Sequence, residues 1–382
     1  MRGAILEDAL VTSGEIVADV RERGDAALLE WTERLDGGRP YGLRVPAERI
    51  DEARVDADVL QALRRMIDAV SIFNRAQLPL DTSVEAAPGI VSERRWLPLD
   101  AVGVCVPSGR APLPSSLVMT AVPAQVAGVR RIVVVTPNPV DAILVTAREL
   151  GLDEIWAIGG AQAVAALAHG TATIEPVDAI VGPGNAYVTA AKLIVSSRVR
   201  IDLPAGPSEV VVIADATAAP TAVAAGLLAQ AEHGDDSEAL LLTDAPDLAA
   251  AVETLVLNKH NVSCVVVASL DEAVARSEEF APEHLELHVA DPVALLPRIR
   301  NAGTVFLGCT SVVGDYAAGA THVLPTSGLA RSSGGLGIET FLKPLQVVTA
   351  TPEGVRLAAD VVGPLARVEG LPLHAAAVPG AA

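Results

Sequence analysis

The sequence predicts an α/β protein: two doubly wound domains on incomplete, mainly parallel sheets, followed by a short helical C-terminal tail. Three observations predict it. From Ala101 onward, short β-branched runs alternate with segments of helical length, the pattern of parallel strands joined by crossover helices. A second series of the same kind begins after Pro204. Hydrophobic residues make up 51% of the 382-residue chain but aromatics only 3%. Ala, Val, Leu and Ile must therefore fill the cores, as in strands buried on both faces.

The elements follow in order. Thr12 and Glu15 have the spacing of a capping box ahead of Ile16, Val17, Val20, Ala27, Leu28 and Trp31, and Asp36-Gly37-Gly38 ends this helical opening. A second helix is predicted over 56–75. Four β–α units come next. The run 101–106 precedes a Ser/Pro/Gly loop and a helix from about residue 116. The run 132–136 precedes a helix over 141–150. The run 154–158 precedes Gly159-Gly160 and a helix to His169. The run 178–181 precedes Gly182-Pro183-Gly184-Asn185 and a helix to about residue 197. In the second series, strands are predicted at 209–213, 239–242, 263–267, 285–289 and 304–307, with helices between them, one over 218–232. Residues 1–104 with 209–336 are expected to form one domain and 105–208 the other. Residues 337–382 read as helix and loop, too short for a core of their own, and are expected to dock on a partner subunit.

Composition excludes several function classes. The net charge is −19 and no Lys/Arg block occurs, which argues against a nucleic-acid partner. Mean hydropathy is high at +0.41, yet no uncharged apolar run reaches the ~18 residues of a membrane span. The best stretch, 214–231, is broken by Asp215, Pro220 and Gln230. The N-terminus lacks the apolar core of a secretory signal. Cys105, Cys264 and Cys309 are far apart with no C-x-x-C, which fits a reducing compartment and a cytoplasmic protein.

Chemistry-bearing residues are few, with seven histidines in all. Glu-His occurs twice, as Glu232-His233 at the end of a helical run and as Glu283-His284 after Ala281-Pro282. Paired acid and imidazole suit proton transfer or metal binding. Glu283-His284 reads either as a general base and acid or as a helix-cap pair. Gln230 and His233 lie three apart on one helical face; they are either a polar helix end or part of an N/O metal site that Asp315 and His374 could complete. Gly182-Pro183-Gly184-Asn185 and Gly159-Gly160-Ala161-Gln162 are either tight turns or anion-binding turns on one edge of the sheet. The loop 107–116 reads as a rigid connection ending in an N-cap serine, or as one presenting Ser115. The segment 201–209 reads as a hinge, or as one presenting Ser208 at a cleft between the domains.

Taken together and in order, several segments resemble the histidinol dehydrogenases. They are Gly182-Pro183-Gly184-Asn185, Ala205-Gly206-Pro207-Ser208-Glu209, Gln230-Ala231-Glu232-His233, Ala281-Pro282-Glu283-His284-Leu285-Glu286-Leu287, Gly314-Asp315-Tyr316, His322-Val323-Leu324-Pro325-Thr326, and Glu369-Gly370-Leu371 with His374. The resemblance covers nearly the whole chain. It implies two Rossmann-like domains and a homodimer oxidising L-histidinol to L-histidine through an aldehyde, with NAD and Zn2+ as cofactors. By that resemblance Gln230, His233, Asp315 and a partner subunit's copy of His374 match the zinc ligands. Glu283 and His284 match the acid/base pair. Ser115, Ser208, His322 and Glu369 match substrate contacts, and Gln162 and Asn185 match NAD contacts.

Four positions depart from the family pattern. Cys105 stands where a tyrosine against the cofactor is usual, Ser108 replaces a glycine, Ser311 a substrate-binding glutamate and Thr321 an asparagine. A paralogue with the same machinery and a different small polar alcohol, such as a sulfopropanediol-type dehydrogenase, is the alternative expectation. A non-catalytic metal or nucleotide binder is a further one.

Overall fold

The computed structural model describes residues 2–37, 42–108, 111–204, 206–257 and 259–381. Gly38 of the predicted helix stop, Gly109 and Arg110 of the 107–116 loop, and Ala205 lie outside them. The chain divides into two compact units, residues 1–77 with 99–341, and residues 78–98 with 342–382.

The first unit opens with α1 (Arg2–Arg23), α2 (Asp25–Asp36), α3 (Ala47–Glu52) and α4 (Ala57–Ala76). The chain then supplies β1 (Thr82–Ala87) and β2 (Ile90–Pro98) to the second unit. It returns as β3 (Ala101–Cys105), α5 (Pro114–Ala127), β4 (Arg131–Val135), α6 (Asp141–Glu149), β5 (Ile155–Trp156), α7 (Gly160–His169), β6 (Ala179–Val181), α8 (Ala186–Val195) and β7 (Arg200–Ile201). The second series is β8 (Glu209–Ala214), α9 (Pro220–Ala231), β9 (Glu238–Thr243), α10 (Pro246–Leu255), β10 (Val262–Val266), α11 (Leu270–Phe280), β11 (His284–His288), α12 (Pro292–Leu295), β12 (Thr304–Leu307) and α13 (Ser311–Tyr316). Among the described residues, no helix is long and apolar enough to cross a membrane.

Each series forms one five-stranded sheet, ordered β5-β4-β3-β6-β7 and β10-β9-β8-β11-β12. All pairings in both are parallel. In each, the first strand in sequence lies central and the next two run outward on one side before the chain crosses to the other. These are two Rossmann-like sheets of the predicted class. The Val/Ile/Leu composition of the strands follows from burial: every residue of β8 is buried.

The elements differ from expectation in four places. Thr12 and Glu15 lie inside α1, which starts at Arg2, so the capping-box spacing begins nothing. The next helix starts at Pro114, with Leu113 at its N-cap; proline suits a first-turn position whose N–H would be orphaned anyway, and Ser115 and Ser116 fall within the helix. The opening helices also group differently from the expected 1–104 partition. Ile16, Val17, Val20, Ala27 and Leu28 join the core of the 101–201 sheet, where α1 packs on α7 and α8 and Ser13 Oγ donates to the Tyr187 carbonyl. Their apolar stripe completes a core that α7 and α8 leave open. Finally, residues 337–382 are not only helix and loop. The second unit holds an antiparallel sheet β1-β2-β13, with β13 spanning Leu342–Ala350, followed by α14 (Pro352–Val368) and α15 (Pro372–Ala376). Its strands are largely exposed, so the hydrophobic pattern that marks buried strands is missing.

Topology places the chemistry. In the first sheet the crossing point lies between β3 and β6, and the Gly182 turn follows the carboxyl end of β6, where open α/β sheets bind ligands. In the second sheet Glu283-His284 stands at the amino end of β11, beside Ser208-Glu209 at the amino end of β8. The short link 202–208 joins the carboxyl end of β7 to the amino end of β8, so these two edges are chain neighbours.

Gly182 is held tightly. Its φ is 103°, and a Cβ there would fall 2.2 Å from the Cys105 carbonyl oxygen. Gly182→Ala is therefore expected to lower the unfolding free energy by about 2–4 kcal/mol. A urea denaturation midpoint equal to wild type would show that the turn relaxes without strain.

Candidate functional site

Parallel pairing of β11 with β8 sets His284 opposite Val210, and the residues just before each strand complete the group. Glu283 is 6% exposed and His284 4%. Glu283 Oε2 accepts from Ser208 Oγ at 2.5 Å and from the Glu209 amide at 2.9 Å. His284 Nδ1 lies 3.2 Å from the Glu209 carbonyl. A carbonyl can only accept, so Nδ1 carries the proton and Nε2 keeps the lone pair. The same Nδ1 is 3.6 Å from Glu283 Oε2. Phe306 packs on the imidazole at 5.8 Å between ring centroids.

Burial moves the two groups in opposite directions. It raises the Glu283 carboxyl to about 7, against the pull of its bonds from Ser208 and Glu209. It lowers the His284 imidazole, and the nearby Asp315 carboxylate only partly offsets this. At neutral pH the result is a neutral imidazole beside a carboxyl poised to exchange its proton.

The predicted metal ligands of this unit sit on two helices beside β11. Gln230 is in the last turn of α9 and only 2% exposed. Its Nε2 is buried without a hydrogen-bond partner. Amide N and O are interchangeable by rotation, so the same position can present the carbonyl oxygen to a cation. His233 follows the helix, and its Nδ1 lies 3.3 Å from the Gln230 carbonyl, so Nε2 is the nitrogen that could face a cation. Asp315 is in α13. Burial raises its carboxyl, while the imidazoles of His284 and His233 pull it back. His322 Nδ1 is 3.2 Å from the Asp315 carbonyl, and burial pushes its pKa down to about 4. His233, Asp315, His284, Glu283 and His322 thus feel one another's charge in one small volume.

A buried amide able to turn its oxygen toward the site, an imidazole presenting Nε2 and a carboxyl raised by desolvation are a donor set that fits a cation preferring N and O ligands. Among the described residues, no three His, Cys, Asp or Glu side chains form a metal cluster. The predicted set has only two such residues in this unit, since Gln230 is an amide. Glu369 and His374 lie in the second unit, both exposed, at the end of α14 and on α15.

On the first sheet, Asn185 caps α8, its side chain accepting from the Tyr187 and Val188 amides at 3.1 Å each. Beneath it, a buried Lys192–Asp202 ion pair grips the turn: Lys192 Nζ donates to the Gly182 carbonyl at 2.8 Å, and Asp202 Oδ2 accepts from the Gly182 amide at 2.7 Å. The Gly159 turn is held in the same way. Asp36 Oδ2 accepts from the Gly159 amide at 3.3 Å and from Gln162 Nε2 at 3.0 Å. In both turns one of the chain's own carboxylates thus occupies the first glycine's amide, and Gln162 Oε1 is buried with no hydrogen-bond partner among the described residues. Cys105 ends β3, its thiol raised by burial to about 11 and hence protonated. Ser115 is buried in the first turn of α5.

Lys192, Asp202, Asp36 and Glu286 escaped the sequence reading. The signals were there: a lysine in the apolar run Ala186–Val195, and a glutamate within the otherwise buried strand His284–His288.

The raised Glu283 carboxyl makes stability depend on pH. Its ordinary value is 4.5 and its folded value about 7. Between those values the folded state keeps a proton that the unfolded state has released. Stability therefore falls as pH rises through this window and stays lower above it, by on the order of 3 kcal/mol. Glu283→Gln is expected to raise the melting temperature of the metal-free protein at pH 8 and not at pH 4.5. Equal melting of variant and wild type at pH 8 would show that the carboxyl is not held near neutrality.

The family model described as histidinol dehydrogenase matches residues 5–380. The histidinol dehydrogenase of Vibrio parahaemolyticus is 43% identical, over 99% of this chain and 93% of that protein. That of Methanothermobacter thermautotrophicus is 45% identical, over 97% and 92%. The crystal structure of histidinol dehydrogenase from Elizabethkingia anophelis is 36% identical with a TM-score of 0.91, covering 97% of this chain and 90% of that one. With matches at this identity across nearly the full length, the chain belongs to the histidinol dehydrogenase family and is an oxidoreductase of that type.

Proposed function

We propose that the protein is a cytoplasmic, zinc-dependent, NAD+-linked enzyme of histidine biosynthesis. It oxidises L-histidinol to L-histidine in two steps through the aldehyde, as a homodimer with shared active sites. The observation that carries this reading is the pair Glu283 and His284: two buried proton carriers with side-chain atoms 3.6 Å apart, the carboxyl raised and the imidazole lowered by the same burial. An alcohol oxidation followed by oxidation of a hydrated aldehyde needs a base at each step.

His284 takes the alcohol proton at Nε2, because Nδ1–H is committed to the Glu209 carbonyl. That bond fixes the ring plane and the tautomer together, as a second-shell carbonyl does for a working histidine. Glu283 is anchored through Oε2, which leaves Oε1 to accept a proton from water attacking the aldehyde. Ser208 is thereby committed to orienting Glu283 and can contact substrate only as an acceptor. Gln230, His233 and Asp315, completed by the partner subunit's His374, would hold the zinc ion. Bound there, the metal would polarise and orient the substrate as a Lewis acid. NAD+ would supply the hydride acceptor, and the Gly182 turn with Asn185, Gln162 and Cys105 would hold it. Ser115, His322 and Glu369 contact the substrate.

A homodimer is supported by the second unit. Leu357, Val361, Leu365 and Val368 form an exposed apolar stripe along α14, the kind of face that a subunit contact covers. A second reading, a different small polar alcohol as substrate, is favoured by one observation. Ser311 is buried with its amide bonded to Glu286, so no carboxylate stands at the family's substrate-binding position there.

Oxidising an alcohol to an acid removes two hydrides. The zinc-loaded enzyme is therefore expected to give two NADH per L-histidinol, and His284→Asn is expected to abolish turnover while zinc stays bound. Absence of NADH from a protein that holds zinc and binds NAD+ would move the reading to another alcohol. Residual wild-type turnover in His284→Asn would remove the base assignment.

His374→Ala is expected to lower zinc content, and Val361→Asp to lower it in parallel with loss of the dimer, as followed by metal analysis and light scattering. Full zinc in either variant would place the fourth ligand elsewhere.

A further inference from the structure

Glu286 is fully buried, with 0% exposure, in the central strand β11 between β8 and β12. Residues 284, 286 and 288 alternate onto one face of the sheet, so Glu286 lies on the His284 side. Its carboxylate reaches two helices. Oε1 accepts from the Ser311 amide, at the start of α13, at 2.6 Å. Oε2 lies 3.1 Å from His288 Nε2, which must donate to it. Oε2 also occupies the space beside Gly226 in α9, where an added Cβ would come within 2.5 Å.

That explains a glycine in mid-helix, where it is less favourable than alanine by up to about 1 kcal/mol. Gly226 is kept because the carboxylate needs the room. α9 carries Gln230 in its last turn and leads to His233; α13 carries Asp315 one turn beyond Ser311; α13 packs on both α9 and β11. One carboxylate therefore touches all three elements that bear the site.

We propose that Glu286 is a positioning residue that locks α9 and α13 onto β11 and so sets the spacing of Gln230, His233 and Asp315 around His284. It acts through the helices and touches neither substrate nor metal. The inference rests on the zinc reading above and goes beyond it by assigning the residue that fixes the ligand geometry. A hydrogen-bond acceptor of the right length is what the role requires, so glutamine can serve: its amide oxygen accepts from Ser311 and its NH2 meets His288. Alanine cannot.

The test is the zinc dissociation constant, measured by competition with a chromophoric chelator, alongside the melting temperature of each variant. Wild-type protein that takes up no zinc would overturn the zinc reading itself, and this inference with it. Given wild-type binding, Glu286→Ala is expected to weaken zinc 10–100-fold, the usual effect of losing a group that orients ligands. Glu286→Gln is expected to stay within about threefold of wild type, for the acceptor remains. Gly226→Ala keeps the charge but displaces the carboxylate, and is expected to weaken zinc about tenfold or more; it carries the test if the alanine variant does not fold. Leu28→Ala, a buried deletion in α2 within the core of the first sheet, is expected to lower the melting temperature without changing zinc affinity. Three results would each sink the proposal: wild-type zinc affinity in Glu286→Ala or Gly226→Ala, equal weakening by Glu286→Gln, which would assign the effect to charge, or equal weakening by Leu28→Ala, which would assign it to general loosening.

Discussion

The parallel pairing of β8 with β11 is the constraint on which the rest depends. It sets two segments far apart in sequence side by side, Glu209 and Val210 against Glu283 and His284. Every bond that tunes the proton-transfer pair crosses this junction. The Glu209 amide and Ser208 hydroxyl reach Glu283, and the Glu209 carbonyl orients His284. Two of these three bonds come from the Glu209 backbone at the start of β8, which ties the geometry to the sheet. A slip of one residue would turn His284 to the opposite face, and burial of β8 on both sides forbids that slip.

The site is built from groups that folding alone would not choose. Glu283 and Asp315 are carboxyls raised by desolvation. His322 and His284 are imidazoles lowered by it, and Gln230 buries an unpaired amide nitrogen. Each is unfavourable by itself. Their signs agree, however. On the proposed reading a divalent cation would relieve these groups together, by supplying positive charge and a partner for Gln230.

Much of this was legible in the sequence, and the reasons differ by element. The two series of strands announced themselves because buried parallel strands need unbroken β-branched runs, and 101–106 and 209–213 have them. The strands of the second unit did not, because β1 and β13 are exposed and carry no apolar signature. The capping box at Thr12 was misleading for a different reason: a local spacing cannot show that helix already precedes it. Glu283 and His284 were visible as a rare pair after a proline. The groups that hold them were not. Glu286 and the Lys192–Asp202 pair act through backbone amides and carbonyls of other elements, and no spacing in one segment encodes a partner in another.

Two sheets of one topology are used here at opposite edges. The first presents its Gly182 turn at the carboxyl ends, where helix N-termini and loose turns favour anions. The second gathers its chemistry at the amino ends of β8 and β11, where the crossing point offers no such advantage. The link 202–208 resolves the difference. It leaves the first sheet at its carboxyl edge, through Asp202, which holds the Gly182 amide, and enters the second at its amino edge, through Ser208, which holds Glu283. One short segment thus bonds to both places, with a buried carboxylate acceptor at each of its ends. The link is anchored again by the Gly206 amide on Thr326 Oγ1, so on the proposed reading the edge that would take an anionic cofactor is tied to the edge that carries Glu283 and His284.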